Sequence, residues 1–254
     1  MDTSQQDYAA QHYAPRAQDY VTSQVHASGE DLDQVEAMLR GLGAARVLDL
    51  GCGGGHVSYR AAPYASEVVA VDVTAAMLEA VAETAAARGI TNILPHQAAA
   101  ENLPFADAHF SVVASRFSAH HWQNMPAGLL QARRVLAAGG HAIFIDTIAP
   151  ADAVLDTHLQ TVELLRDASH VRNYTLGQWA AALEAAGFAV DSVTRRRLRL
   201  DFSSWIARTR TPPHHAAMIR SLQAGASAAV QNHFSIEPDG SFTIDSVAIT
   251  ASAA

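Results

Sequence analysis

The chain has 254 residues, 49% hydrophobic and 17% charged, enough to bury the core of one large α/β domain or one domain with an added cap. Its 25 acidic residues outweigh 17 basic ones, and a net charge of −8 disfavours nucleic acid as a general partner. No apolar run is long enough to span a membrane, the start MDTSQQDYAAQHYAP does not read as a secretory signal, and the single cysteine, Cys52, excludes an internal disulfide framework; the expectation is a soluble, cytoplasmic protein.

Leu32, Val35, Leu39 and Leu42 recur at helical spacing, with Ser28 or Gly29 as the cap and Gly41 and Gly43 near the end. RVLDLG (46–51) reads as a buried strand, followed by a helix from about Gly55 to Ala62. EVVAVD (67–72) is the second strand; Thr74 then caps a helix with Met77, Leu78, Val81 and Ala85 on one face, closed by Gly89. TNILPHQ (91–97) and FSVVAS (110–115) are the third and fourth strands. A helix over 125–136 places Leu129, Ala132 and Leu136 on one side, and GGHAIFID (139–146) is the fifth strand. This alternation implies right-handed crossovers and a parallel sheet with helices on both faces. Ligands bind such sheets at the carboxyl ends of the strands. Gly51–Gly55, Asp72, Ala98–Glu101 and Ser115–Trp122 all fall there.

The second half is less regular. Residues 152–170 read as helical, and Thr175-Leu-Gly-Gln178 is a capping box for a helix carrying Trp179 and Leu183. Two strands are expected at 188–202 and 241–250, with mostly helical chain over 203–235 and Pro212-Pro213 at a helix start.

The turn LDLGCGGGH (48–56) opens a helix after a strand, where glycines let backbone N–H groups approach a ligand. The dinucleotide pattern G-x-G-x-x-G is met by Gly51 and Gly53, but its third position is His56. Asp72, 21 residues after Gly51, ends a strand where an acid accepts both hydroxyls of a ribose. Asp49 lies inside the first strand, and a buried acid needs a hydrogen-bonding reason to be there. At a cleft edge it would orient the glycine loop or hold an ammonium group.

VLDLGCGGGH (47–56), VVAVD (68–72), AENLPF (100–105) and RRVLAAGGH (133–141), in this order and spacing, resemble the class I S-adenosylmethionine (SAM)-dependent methyltransferases, within them the ubiquinone/menaquinone C-methyltransferase-like group known as type 11. The resemblance covers about residues 45–150. It implies an α/β Rossmann-like fold: a seven-stranded, mostly parallel sheet with one antiparallel strand, helices on both faces and helical cap insertions. It also implies one domain in three parts: an N-terminal helical segment over the cofactor cleft (1–44), a SAM-binding core (45–150), and cap helices plus the last two strands (151–254).

Carried over, the resemblance implies SAM as cofactor. Gly51, Gly53 and Gly55 would approach its methionine part, and Asp49 would support the loop or the ammonium group. Asp72 would hold the ribose, Met77 would pack near the adenine, and the backbone around Ser115 and Arg116 would face the methionine end. The family often has G-D-A-E before L-P-F. Here the stretch is Ala98-Ala99-Ala100-Glu101, so the family's Asp is Ala99, leaving backbone contacts from Ala99 and Ala100. Glu101 matches the pattern, either as a ligand contact or as a pairing group within the loop.

Methyl transfer from a sulfonium is an in-line displacement in which the protein aligns the partners and excludes water. A base helps when the acceptor is a phenol, a hydroxyl or an enolisable carbon, and histidine suits that task near neutral pH. SRFSAHHW (115–122) supplies two histidines beside the cleft. Neighbours on a helix point about 100° apart, so only one is expected to face a small acceptor. His120 is the first candidate and His121 the second, with Trp122 as a pocket wall or as packing under the next helix. The alternative is that both histidines only hydrogen-bond and pack.

The chain lacks H-E-x-x-H and a cysteine cluster, so no metal is expected. Within RDASHVRNY (166–174), Arg172 and Tyr174 would recognise a carboxylate or phenol, unless the stretch is a solvated helix end. SQVHASGED (23–31) would fold over SAM with His26 near the cleft. In RRRLR (195–199), Arg195, Arg197 and Arg199 share one strand face, read as a solvated face or protected edge rather than a nucleic-acid site. Cys52 at a helix N-terminus would have a lowered pKa, but a small apolar filler is the preferred reading. The expected function is methyl transfer to a small-molecule acceptor, quinone-like or phenolic. The rivals are a SAM-binding regulator without turnover and a nicotinamide-dependent dehydrogenase, the latter disfavoured by His56 and Asp49.

Overall fold

In a computed structural model, which describes residues 4–21, 29–43 and 45–254, the alternating segments assemble into one sheet. The chain enters through α1 (Gln5–Tyr13), α2 (Ala17–Val21) and α3 (Glu30–Arg40). The core then runs β1 (Ala45–Leu50), α4 (His56–Ala61), β2 (Ala65–Asp72), α5 (Ala75–Ala87), β3 (Ile93–Gln97), β4 (Phe110–Arg116), α6 (Met125–Val135) and β5 (Leu136–Ala149). After it come α7 (Ala153–Arg166), β6 (Tyr174–Thr175), α8 (Leu176–Ala185), β7 (Phe188–Leu200), α9 (Phe202–Arg208), α10 (Pro213–Ala224), α11 (Ala228–Phe234) and β8 (Phe242–Ala253).

The strand order is β3-β2-β1-β4-β5-β8-β7. Strands β1 to β5 pair in parallel, and β8 lies antiparallel between β5 and β7. The expected seven strands form this path, and the two-residue β6 beside β5 makes an eighth. Strand β5 is longer than 139–146 because His141 to Thr147 are bonded to β8 while the chain on either side continues extended.

Side chains alternate across the sheet. Leu48, Leu50, Val69, Val71, Val113 and Phe144 pack on one face with Leu129 of α6 and Trp179 and Leu183 of α8. Val47, Val68, Ala70, Val112, Ile143 and Ile145 pack on the other with Leu32, Val35 and Leu39 of α3 and Leu78 and Val81 of α5. Strands covered on both faces carry near-continuous apolar runs, as these do. A separate cluster of Leu159, Val162, Trp205, Ile219, Val230, Phe234 and Ile244 makes the cap. Ala17 packs on Met77 and Ala80, which seats the N-terminal helices on α5.

The punctuation mostly follows the sequence. Gly29 is the N-cap of α3, while Ser28 lies outside the described residues. Thr175 and Gln178 form the capping box of α8, and Pro213 opens α10. Thr74 occupies the N-cap of α5, but its side chain makes no capping bond; the Thr74 N–H donates instead to Asp72 Oδ1 at 2.8 Å. The helix expected over 152–170 ends at Arg166, where Asp167 leaves the helical region at φ −138° and ψ 105°. That break matters for the site. Strand β7 is a sheet edge, and its Arg197 and Arg199 are ion-paired with Asp245 and Glu237, consistent with a protected edge. Among the described residues no helix is long and apolar enough to cross a membrane.

Gly128 of α6 lies against the Trp122 ring, and a Cβ there would sit 2.5 Å from Trp122 Cε3. Gly128→Ala should therefore cost about 1–3 kcal/mol by overpacking, read as a lowered urea midpoint at unchanged slope. A loss below a few tenths of a kcal/mol would show that the ring moves aside freely.

Candidate functional site

One cavity of about 640 Å³ opens at the carboxyl ends of β1, β2, β4 and β5, roofed by α1 and the cap. Its size is that of a cofactor and small-ligand site. The glycine loop lines one half. Gly51 and Cys52 N–H groups both donate to the Val71 carbonyl at 2.8 Å, tying the loop to β2. Gly51 has φ +73°, and a Cβ there would overlap Ser118 Oγ, so only glycine lets β1 and the β4 turn meet. Gly53 has φ +48° and a Cβ there would meet nothing within 4 Å; that open space is a cradle. Gly55 does not line the cavity. It is the N-cap of α4, packed against Val81 and Tyr59.

Asp72 Oδ2 accepts the Gly53 N–H at 2.9 Å while Oδ1 holds Thr74, so this carboxylate both shapes the loop and faces the cavity. Asp49 is almost wholly buried, and its Oδ2 accepts from Ser58 N–H at 3.0 Å and Ser58 Oγ at 2.6 Å. Burial pushes its carboxyl up to about 7. It borders only a smaller adjoining hollow behind the loop, so the observed partner of Asp49 is α4. Met77 forms part of the cavity wall beside Ala98 and Ala100. Ala99 is not in the lining; its carbonyl turns into the loop and accepts from Asn102 N–H at 3.0 Å. Glu101 spends its oxygens on Asn124 N–H and Gln6 Nε2, the pairing alternative, while also bordering the cavity. Arg116 borders it too, its side chain bound to Asp31 at 2.5 Å and stacked over Phe117. Cys52 sits before α4, and burial, with the charges of Asp72 and Asp49, pushes its thiol well up. It is a filler, not an activated thiol. His26 lies outside the described residues.

The other half is built around the 3-10 turn Ala119–His121. Both histidines line the same cavity, with ring centroids 4.2 Å apart, which corrects the expectation that only one would face it. Each ring has its own partner. His120 Nδ1 lies 2.5 Å from Asp146 Oδ1, and the His120 backbone N–H donates to Asp146 Oδ2 at 3.3 Å. Burial opposes charge on this imidazole, but the Asp146 carboxylate, helped by Glu163 and Asp167, outweighs it and holds the pKa above the usual value. His121 Nε2 lies 3.0 Å from Tyr13 Oη, and its Nδ1 is 3.2 Å from Ser169. Burial and the neighbouring His120 push His121 down to about 4, so it is neutral. Trp122 combines its two expected roles: it borders the cavity, packs under α6, and donates Nε1–H to Ser118 Oγ at 3.0 Å.

Arg172 and Tyr174 are not in the lining. The Arg172 guanidinium is paired with Asp156 at 2.8 Å; what it gives the site is its N–H, which joins that of Val171 on the His120 carbonyl. Tyr174 is held in β6 against the sheet core. From the same 166–174 stretch the cavity takes Arg166 and Asn173 instead. The end of helix α7 also turns Asp167 inward, where it accepts from Tyr13 Oη at 2.5 Å and Ser169 Oγ at 2.6 Å and lies 3.1 Å from His12 Nε2. Asp146, Tyr13, Glu163, Arg166 and Arg208 were missed from sequence. Only Asp146, which follows the apolar run Ala142–Ile145 as Asp72 follows Val68–Val71, carried a local signal. Among the described residues no cluster of three His, Cys, Asp or Glu is placed to hold a metal ion.

A mostly parallel sheet in this order, with a glycine turn after β1 and an acid ending β2, defines a nucleoside-cofactor-binding α/β protein. A family model described as a methyltransferase domain matches residues 47–140. The uncharacterized protein YafE of Escherichia coli (strain K12) is 45% identical over 78% of this chain and 95% of its own length. The uncharacterized methyltransferase YcgJ of Bacillus subtilis (strain 168) is 33% identical over 88% of each chain. The crystal structure of YcgJ superposes with a TM-score of 0.84, covering 88% of this chain and 97% of that one. The ubiquinone/menaquinone biosynthesis C-methyltransferase UbiE of Coxiella burnetii (strain RSA 331) is 32% identical over 55% of this chain and 58% of its own. The chain belongs to the class I SAM-dependent methyltransferases, and SAM is its cofactor.

Proposed function

We propose that the enzyme methylates a small phenolic, hydroquinone-like or enolisable acceptor, with His120 taking the acceptor proton and Asp146 positioning His120. The observation that carries this is His120, paired with Asp146, facing the same cavity as the glycine loop and Asp72. With Nδ1 engaged by Asp146, Nε2 is the ring nitrogen left for an acceptor. His121, neutral and held by Tyr13 and Ser169, shapes the wall. Trp122 and Tyr13 exclude water.

The open space over Gly53 and the Asp72 carboxylate fit the cofactor. The loop Gly51 and Gly53 would take its methionine part, Asp72 its ribose, and Met77, Ala98 and Ala100 its adenine. When bound, SAM supplies a methyl group already activated on sulfur. The partial likeness to UbiE, named for quinone biosynthesis, supports a quinol among the acceptors to try first.

The test is transfer of labelled methyl from SAM to quinols, catechols and simple phenols. Transfer to at least one is expected. Labelling of thiols or amines alone would overturn the acceptor class, and S-adenosylhomocysteine binding without transfer to any acceptor would favour a regulator. Asp72→Asn should weaken S-adenosylhomocysteine binding by about 10-fold or more, since hydrogen bonds to a charged group are worth about 1.5–3 kcal/mol and the amide accepts on one side only. Calorimetric titration reads this directly; an unchanged Kd would remove Asp72 from the cofactor site.

A further inference from the structure

Five arginines line the acceptor half of the cavity, and they are not equivalent. Arg166 is nearly buried, donates Nε–H to the Trp205 carbonyl at 3.1 Å, lies over the Trp205 ring and sits 3.7 Å from Glu163. Arg196 is bound to Gln34 and lies 3.5 Å from Glu30; Arg197 is bound to Asp245. Arg195 is exposed, so water serves it. Arg208, at the end of α9, is different. It is half-buried, and among the described residues its guanidinium makes no hydrogen bond, ion pair or ring contact. It faces Arg166, Tyr20, Glu163 and Tyr13, and Glu163 already sits beside Arg166. Burial and the neighbouring Arg166 pull its pKa down, as expected of a cation without its own anion.

A second unpartnered donor borders the same space. Asn173 is buried, and its backbone N–H and carbonyl are both bonded to Gln160, yet its side-chain Nδ2 has no partner. A buried polar group without a partner calls for an explanation, and a ligand oxygen is the one this cavity supplies. The guanidinium fork matches a planar oxyanion with two parallel hydrogen bonds.

We propose that Arg208 binds an oxyanion group of the methyl acceptor, a carboxylate or a phosphate, with Asn173 donating to a further acceptor oxygen. The acceptor is then an organic anion held at one end by the cap and presented at the other to His120. This rests on the cavity being the methyl-transfer site.

The test uses the full chain saturated with S-adenosylhomocysteine and titrated with benzoate, phenyl phosphate and methyl benzoate. At least one anion should bind about tenfold more tightly than the neutral ester. Arg208→Gln should remove that preference, Arg208→Lys should restore part of it, and both variants should keep the wild-type Kd for S-adenosylhomocysteine. The tighter of the two anions identifies the group. The proposal is overturned if neither anion outbinds the ester, or if Arg208→Gln leaves the preference intact. A weakened S-adenosylhomocysteine Kd in Arg208→Gln also overturns it, because the oxyanion would then be the cofactor's own carboxylate. Failure of the wild-type chain to bind S-adenosylhomocysteine would instead sink the underlying reading of the site.

Discussion

Replacing His120 by alanine should lower methyl transfer by roughly 10²–10⁴-fold, the range a positioned general base supplies, without changing S-adenosylhomocysteine binding. The reason lies in the ring's two nitrogens. One is committed to a nearly buried carboxylate at 2.5 Å; the other is left for an acceptor on a ring that lines the cavity. Asp146→Asn keeps the shape but removes the charge that holds the His120 pKa up. The pH profile separates a base from a packing residue. His120 acts as a base only when unprotonated, so the rate should rise with pH through a midpoint above the ordinary histidine value of about 6.5. In Asp146→Asn that midpoint should move to lower pH, because burial then acts on the imidazole with less opposition. A flat profile, or a full rate in His120→Ala, would leave the histidine a wall residue.

The cofactor half of this site was legible because its information is local. A strand, its glycine turn and the acid at the end of the next strand are short-range patterns, and the fold brings Gly53 and Asp72 together by pairing β1 with β2. The reading failed in detail where a backbone chose its own route, as when Ala99 turned its carbonyl toward Asn102. The acceptor half was less legible for a physical reason. Tyr13, His120, Asp146, Asp167 and Arg208 come from the N-terminal helix, the 3-10 turn after β4, strand β5, a helix break and the cap. Each is an ordinary polar residue until tertiary structure supplies its partner. The stretch 166–174 shows the difference. Its polar density marked it correctly, but whether Arg172 or Asp167 turned inward depended on where α7 stopped, and α7 stopped at Arg166. Periodicity places a helix well and its last residue poorly. The two histidines were separated by a helical argument that does not hold for a single 3-10 turn held between Asp146 and Tyr13.

Asp167→Ala should be the most destabilising single change in this region, by about 3–5 kcal/mol in urea unfolding, the cost of removing one member of a buried charged network. The Asp167 side chain is 1% exposed and gathers Tyr13, Ser169 and His12. Its loss leaves the Tyr13 and Ser169 hydroxyls with only His121 beside them and also unlatches α1, which carries Tyr13 and His12. Asp167→Asn keeps the volume and supplies the pH control. Burial works to raise the Asp167 pKa, but the close His12 ring and the hydroxyls of Ser169 and Tyr13 outweigh it and hold the carboxyl well below the usual range. A carboxyl with a depressed folded pKa stabilises above its unfolded value of about 3.9, and that contribution is lost as pH falls through the folded value. The stability gap between wild type and Asp167→Asn should therefore be constant near neutral pH and narrow below about pH 4. The upward shifts of Asp49 and Asp72 act in both proteins and cancel in the difference. A gap that stays constant down to pH 3, or an alanine cost under about 1 kcal/mol, would mean that Asp167 is not the anion holding α1 to the cap.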